Sequence, residues 1–213
     1  MADIFELFKK ISKSEPASTT PITHIVVGLG NPGSKYANTR HNAGFIATDY
    51  LAGKLSTKID RAKFQSLVSE VTIAGKRVLL MQPQTFMNNS GYAVCEAASF
   101  YKIPPENVIV ISDDVNLDVG RLRVRESGSA GGQKGLNDII VQMGTDKIPR
   151  IRVGVGKKPH PDYDMVNWVL GVFPEDDKKA IEELMPVVYA GIEKLLVGDV
   201  AGAMQICNGA KTK

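Results

Sequence analysis

The sequence predicts a single α/β domain, a mixed twisted β-sheet flanked by α-helices on both faces. Short apolar runs bounded by glycine, proline or asparagine alternate with segments of helical apolar spacing. The 213 residues suffice for one well-filled core. No internal repeat divides the chain.

Residues 1–21 read as an extension ahead of a domain at 22–213. Ile4, Leu7, Phe8 and Ile11 recur at helical spacing, and 12–21 carry the Ser, Thr and Pro of a linker. Residues 24–29 form an apolar run ending in glycine, as a buried strand does. Residues 43–55 have helical spacing. Two strands at 67–73 and 77–81 are joined by a turn at Gly75. A helix over 91–101 stops before Pro104, and 107–112 is a further apolar strand. Residues 121–125 alternate strictly, which puts Leu122 and Val124 on one face and three arginines on the other. A helix over 134–143, a strand over 150–155 and a long helix over 176–196 complete the pattern.

No apolar run reaches the roughly 18 residues of a membrane span, and the first ten residues lack a secretory pattern. Cys95 and Cys207 have neither metal-ligand spacing nor partners for a disulfide framework, so a reducing cytoplasm is expected. The net charge of +3 says little, but its distribution is uneven. Residues 116–158 hold nine Lys and Arg against four Asp and Glu, and 174–194 hold three against six. A basic half opposite an acidic helix suits a polyanionic partner, although scattered solvated charge is the plainer reading.

Gly28-Leu29-Gly30-Asn31-Pro32-Gly33 satisfies G-x-G-x-x-G after a strand, with Asp49 at the distance of a ribose-binding acid. A dinucleotide fold needs a helix to open at those glycines. Here residues 34–42 lack helical spacing, and the helix starts only near Ala43, which counts against a bound dinucleotide. The run Gly128–Gly135 resembles a phosphate loop but has Gly135 where Ser or Thr must follow Lys134.

Three loops leave strand ends and carry unusual polar residues. The first holds Asn31, Tyr36, His41 and Asn42, the second spans 83–91, and the third spans 112–116. In α/β sheets such loops converge on one cleft. A neutral imidazole accepts a proton near pH 7, a carboxylate orients it, and asparagine amides hold water or stabilise an oxyanion. Of the three histidines, His24 opens a strand and His160 lies between prolines, leaving His41 as the base. Ser90 reads as a helix cap and Cys95 as a residue inside that helix, so no strong nucleophile stands out. The residues point to a hydrolase that activates water without a metal or other cofactor.

The segments Val27–Gly33, Thr39–Gly44 and Thr85–Gly91 together resemble the bacterial-type peptidyl-tRNA hydrolase family. Asp113–Leu117 and Arg150–Gly156 extend the resemblance, which covers roughly residues 22–207. It implies a monomer acting on peptidyl-tRNA, with no membrane partner. It implies His41 as catalytic base, Asp113 as orienting carboxylate, and Asn31 and Asn88 as residues fixing the peptide and the attacked carbonyl. Tyr36 and Met87 would wall the peptide side, Asn42 would join the substrate contacts, and Arg125, Arg152 and Lys134 would meet tRNA. Arg121 and Arg123, Arg150, and Lys157 and Lys158 are further candidates for phosphate. Two adjacent positions depart from the family, which commonly has His-Asn-Gly where this chain has Gln133-Lys134-Gly135. The rival from another class is a non-catalytic RNA-binding protein on the same fold, as in a plant relative recruited to intron splicing.

Overall fold

The computed structural model of the protein describes residues 20–212. The amphipathic segment expected near the start lies outside the described residues.

The strands are β1 (His24–Gly28), β2 (Arg61–Lys63), β3 (Ser66–Ile73), β4 (Lys76–Pro83), β5 (Val108–Asp114), β6 (Leu122–Arg125) and β7 (Arg150–Gly154). They form one sheet in the order β2-β3-β4-β1-β5-β7-β6. The central strands β4, β1, β5 and β7 are mutually parallel, while β3, β2 and β6 add antiparallel margins. Every residue of β1 and β5 is buried, which is why residues 25–27 and 108–111 read as continuous Val and Ile rather than as alternation. On the edge strand β6, Leu122 and Val124 turn inward and Arg123 and Arg125 outward, as their spacing predicts.

The helices are α1 (Ala43–Lys54), α2 (Ser90–Tyr101), α3 (Lys134–Met143), α4 (Met165–Val169), α5 (Glu175–Leu196) and α6 (Val200–Gly209). Helices α1, α5 and α6 cover one face of the sheet around Ile109, Ile111, Leu184 and Val188. Helices α2 and α3 cover the other around Val108, Val110, Leu136 and Ile139. Each such fully buried aliphatic side chain contributes about 2 kcal/mol, so the two apolar layers hold the sandwich together. Glu175, Asp176 and Asp177 occupy the first turn of α5, where the helix dipole favours negative charge.

The expected elements are present, with ends displaced by a residue or two. Three are additional. β2 and α4 have 3 and 5 residues, too few to establish a period. α6 is built from small residues, with only Ala203 and Cys207 buried. It packs where Gly191 of α5 leaves room for the Cys207 sulfur, and burial pushes that thiol up to about 11. Its one local signal is Asp199, whose carboxylate accepts from the Gly202 N–H at 2.8 Å.

Because β1, β4, β5 and β7 are parallel, their carboxyl ends share one edge of the sheet. The loops after β1, β4 and β5 are the three polar loops singled out in the sequence.

Candidate active site

The glycines after β1 serve packing. A Cβ at Gly28 would collide with the Gly44 carbonyl, and one at Gly44 with the backbone of Leu29 and Ile111. Their absence lets α1 begin directly against the strand end. Short helical turns at Ser34–Tyr36 and Arg40–Asn42 fill the interval, so no helix opens at the glycine motif. Asp49 lies in α1 and accepts from Gln82 Nε2 at 2.7 Å. Neither half of a dinucleotide site is formed.

His41 stands on the turn that leads into α1. Along β5, Ile109 and Ile111 face the α1 layer, and alternation places Asp113 on the same side. The His41 Nδ1 lies 2.8 Å from Asp113 Oδ2, and Asp113 is 3% exposed. The buried carboxylate accepts from Nδ1–H, which leaves Nε2 of the neutral ring as the acceptor. Among the described residues no protein group bonds Nε2. Asp114 turns to the opposite face and pairs with Arg152 at 3.0 Å.

Asn31 is oriented from both sides. Its Oδ1 accepts from the Met87 N–H at 2.9 Å, which directs its Nδ2 elsewhere. Its main chain is clasped by Asn42, whose Oδ1 accepts from Asn31 N at 2.9 Å and whose Nδ2 donates to Asn31 O at 3.0 Å. Asn42 is therefore not a cleft residue, contrary to expectation. It is 2% exposed and both ends of its amide are engaged in shaping the loop.

The loop after β4 turns sharply at Phe86, with φ 58 and ψ 160. That region is costly for a residue with a Cβ and persists only where neighbours impose it. The Met87–Asn31 hydrogen bond does so here. The turn exposes Asn88 and buries Met87 beneath the cleft. Gly135 is needed beside it, because a Cβ there would meet the Met87 sulfur at 2.5 Å. Ser90 is not the cap it resembles, since its hydroxyl donates back to Met87 O at 2.9 Å from the first position of α2.

The opposite wall comes from α4, through Met165, Val166 and Val169. Arg40, next to His41, holds this segment. Its guanidinium lies 3.8 Å over the Trp168 ring and donates to Val172 O at 3.2 Å, with Asp177 at 4.0 Å. Burial draws the Arg40 pKa below the usual guanidinium value, and Asp177 opposes that shift.

These parts enclose a cleft of about 660 Å³, lined among others by Asn31, Tyr36, His41, Asn88, Asp113 and Lys134. The expected residues thus converge, apart from Asn42, Arg125 and Arg152. Arg125 is exposed at the sheet edge, outside the cleft. Arg152 is half-buried under the glycine-rich loop, its head against Gly131. Arg150, grouped with the phosphate contacts in the sequence, is 1% exposed and does something else. It donates to the carbonyls of Ile148, Gly128 and Asp146 at 2.6, 2.7 and 3.0 Å. It fastens the start of the loop that runs from β6 across the sheet to α3.

Sequence reasoning missed Asn116, Phe86 and the α4 wall, all of which line the cleft. Asn116 and Phe86 were visible within quoted motifs. The one local signal of α4 was Asp164, whose carboxylate accepts from the Asn167 N–H at 2.8 Å. Among the described residues, no group of three or more His, Cys, Asp or Glu is arranged to hold a metal ion.

Comparison with known proteins identifies the family and agrees with the fold. A family profile described as peptidyl-tRNA hydrolase matches residues 25–213. A peptidyl-tRNA hydrolase of Clostridium botulinum (strain Eklund 17B / Type B) is 49% identical over 187 residues, covering 88% of this chain and 96% of the relative. One of Caldicellulosiruptor bescii is 48% identical over 186 residues, covering 87% and 97%. The crystal structure of the enzyme from Acinetobacter baumannii superimposes with a TM-score of 0.83 at 33% identity, covering 92% of this chain and 99% of that one.

Proposed function

This chain belongs to the peptidyl-tRNA hydrolase family and is a hydrolase of peptidyl-tRNA, and from that premise we propose that His41 drives the reaction as general base. The observation that carries the reading is the His41–Asp113 pair, with Nε2 turned to a cleft that Asn31 and Asn88 also line. Nε2 takes a proton from water as that water attacks the ester carbonyl joining the peptide to the terminal ribose of tRNA. Asp113 holds the ring in the required tautomer and stabilises the imidazolium that forms. The Asn31 and Asn88 amides donate to the carbonyl oxygen as negative charge develops there. The proton on Nε2 then passes to the leaving ribose oxygen. Free peptide and reusable tRNA result.

Tyr36 and Met87, with the α4 wall, receive the peptide. Lys134 at the rim and the exposed Arg125 meet the tRNA acceptor end or its phosphates, and Arg152 supports the loop beside them. The enzyme acts as a cytoplasmic monomer. Residues 1–21 form an extension beyond the hydrolase domain at 22–213, consistent with a family match that begins at residue 25.

The test is release of an N-blocked aminoacyl group from tRNA by the purified protein and by His41→Ala. Release by the wild type alone supports the reading. Tight tRNA binding without release would replace it with the RNA-binding alternative.

A further inference from the structure

We infer that Gln133 is a positioning residue for the catalytic pair, tying Asp113 to the N-terminus of α3. The inference rests on the hydrolase reading above for its consequence in rate, but not for the link itself. Gln133 is 8% exposed. Its Oε1 accepts from the Leu136 N–H at 2.7 Å, capping α3. Its Nε2 donates to Asp113 Oδ1 at 3.0 Å and to the Met87 sulfur at 3.0 Å.

The orientation of this amide is determined by its neighbours. Leu136 N–H can only donate and the Asp113 carboxylate can only accept, so the oxygen must face the helix and the nitrogen the carboxylate. Asp113 is thereby held at both oxygens, by His41 Nδ1 at 2.8 Å and by Gln133. With Oδ1 bonded, the carboxylate cannot rotate away from the ring. The same amide ties Met87 to this network, and Met87 N holds Asn31 in turn. One side chain therefore sets the base, its carboxylate and one carbonyl-binding loop relative to one rigid helix.

This assigns a purpose to the chain's departure from the commoner histidine. Glutamine supplies the donor to Asp113 and the cap for α3 together. It also carries no proton of its own to lose or gain near neutral pH.

Glutamate is nearly isosteric and separates the two bonds. In Gln133→Glu the carboxylate can still cap α3, yet it cannot donate to Asp113 and repels it. Other charged groups around the pair are unchanged: Asp114 remains with Arg152, Arg40 near Asp177, and Lys134 at the rim. The experiment compares wild type, Gln133→Glu and Gln133→His for melting temperature, kcat and KM, with NMR titration of His24, His41 and His160 in each.

The expected result for Gln133→Glu is kcat lowered about tenfold or more with KM unchanged, beside a melting temperature lowered by the repulsion between two buried carboxylates. The His41 ring should titrate at higher pH than in wild type, with His24 and His160 unmoved. Gln133→His, which replaces the amide donor with a ring N–H, should keep most of the wild-type kcat. An unmoved His41 titration overturns the link, as does a kcat within about twofold of wild type while wild type is active. A fall in kcat matched by lost melting temperature with His41 unmoved would leave Gln133 a helix cap alone. Should wild type release nothing from blocked aminoacyl-tRNA, the hydrolase reading fails while the His41 titration still decides the link.

Discussion

The two ends of the sheet hold cavities of nearly equal size, about 660 Å³ at the carboxyl ends of the parallel strands and about 670 Å³ at the amino ends. Each is lined by a histidine and by lysine. At the carboxyl end His41 meets a buried carboxylate and keeps Nε2 open. At the amino end His24 Nδ1 lies 2.8 Å from the Thr23 hydroxyl, and burial and nearby Lys76 hold the ring pKa below the usual histidine value. Its cavity carries Glu106, Glu126, Lys76 and Lys147 with the aliphatic end of α5, and its asparagine, Asn107, donates its Nδ2 to Thr23 O at 3.1 Å. The difference teaches that volume and a histidine do not make a site. What does is the convergence of three loops whose polar groups satisfy one another on one side and leave defined donors and acceptors on the other.

The sharpest way to break this comparison is to exchange the histidines' fates. His41→Ala should lower kcat by about 10²- to 10⁴-fold, whereas His24→Gln should leave kcat within about twofold, both read from blocked aminoacyl-tRNA turnover. Equal losses would show that His41 acts only structurally.

Next in size is Arg150, which secures the loop that begins beside the amino-end cavity and finishes at the cleft. Arg150→Met leaves three carbonyls without their donor and should cost about 3 kcal/mol of stability in urea unfolding. A stable variant with raised KM instead would return Arg150 to the tRNA contacts.

A smaller effect distinguishes two lysines. Lys134→Ala should raise KM for tRNA substrates and reduce the slope of log KM against log salt by about one, while Lys147→Ala at the other end should do neither. An identical response from both would mean diffuse attraction rather than a contact.

The smallest effect is on pH. Above about 6.5 both folded and unfolded His24 are neutral and stability is complete. As pH falls below that value the unfolded chain takes up the proton first, because the folded pKa is depressed, and stability declines through the folded pKa. His24→Gln should flatten that decline in melting temperature between about pH 6.5 and 5.

Much of this was legible in the sequence, for local reasons. The buried strands β1 and β5 carry continuous apolar runs at residues 25–27 and 108–111, and α3 has a strongly one-sided apolar stripe, so local pattern betrays them. The unusual density of His, Asn and Asp in loops after strands pointed to the three loops and to His41, while the resemblance to the family singled out Asp113 and Asn31 within them. Elements of 3 and 5 residues, and a helix of small residues, left no period to read.

The sequence by itself therefore determined the α/β class, the order of its elements and the residue types available for chemistry, because periodicity and turn residues are properties of neighbours along the chain. Only the tertiary structure decided what each polar side chain does. Asn31 and Asn42 are alike in one loop, yet one faces the cleft and the other is closed upon the main chain. Arg150 and Arg125 sit on paired strand positions, yet one is buried under a crossing loop and the other is exposed. Gln133 departs from the family's motif, yet it is bonded to the carboxylate at the centre of the site. Such roles depend on partners distant along the chain, 11 positions for Asn31 with Asn42, 20 for Gln133 with Asp113 and 72 for His41 with Asp113, which no local pattern contains.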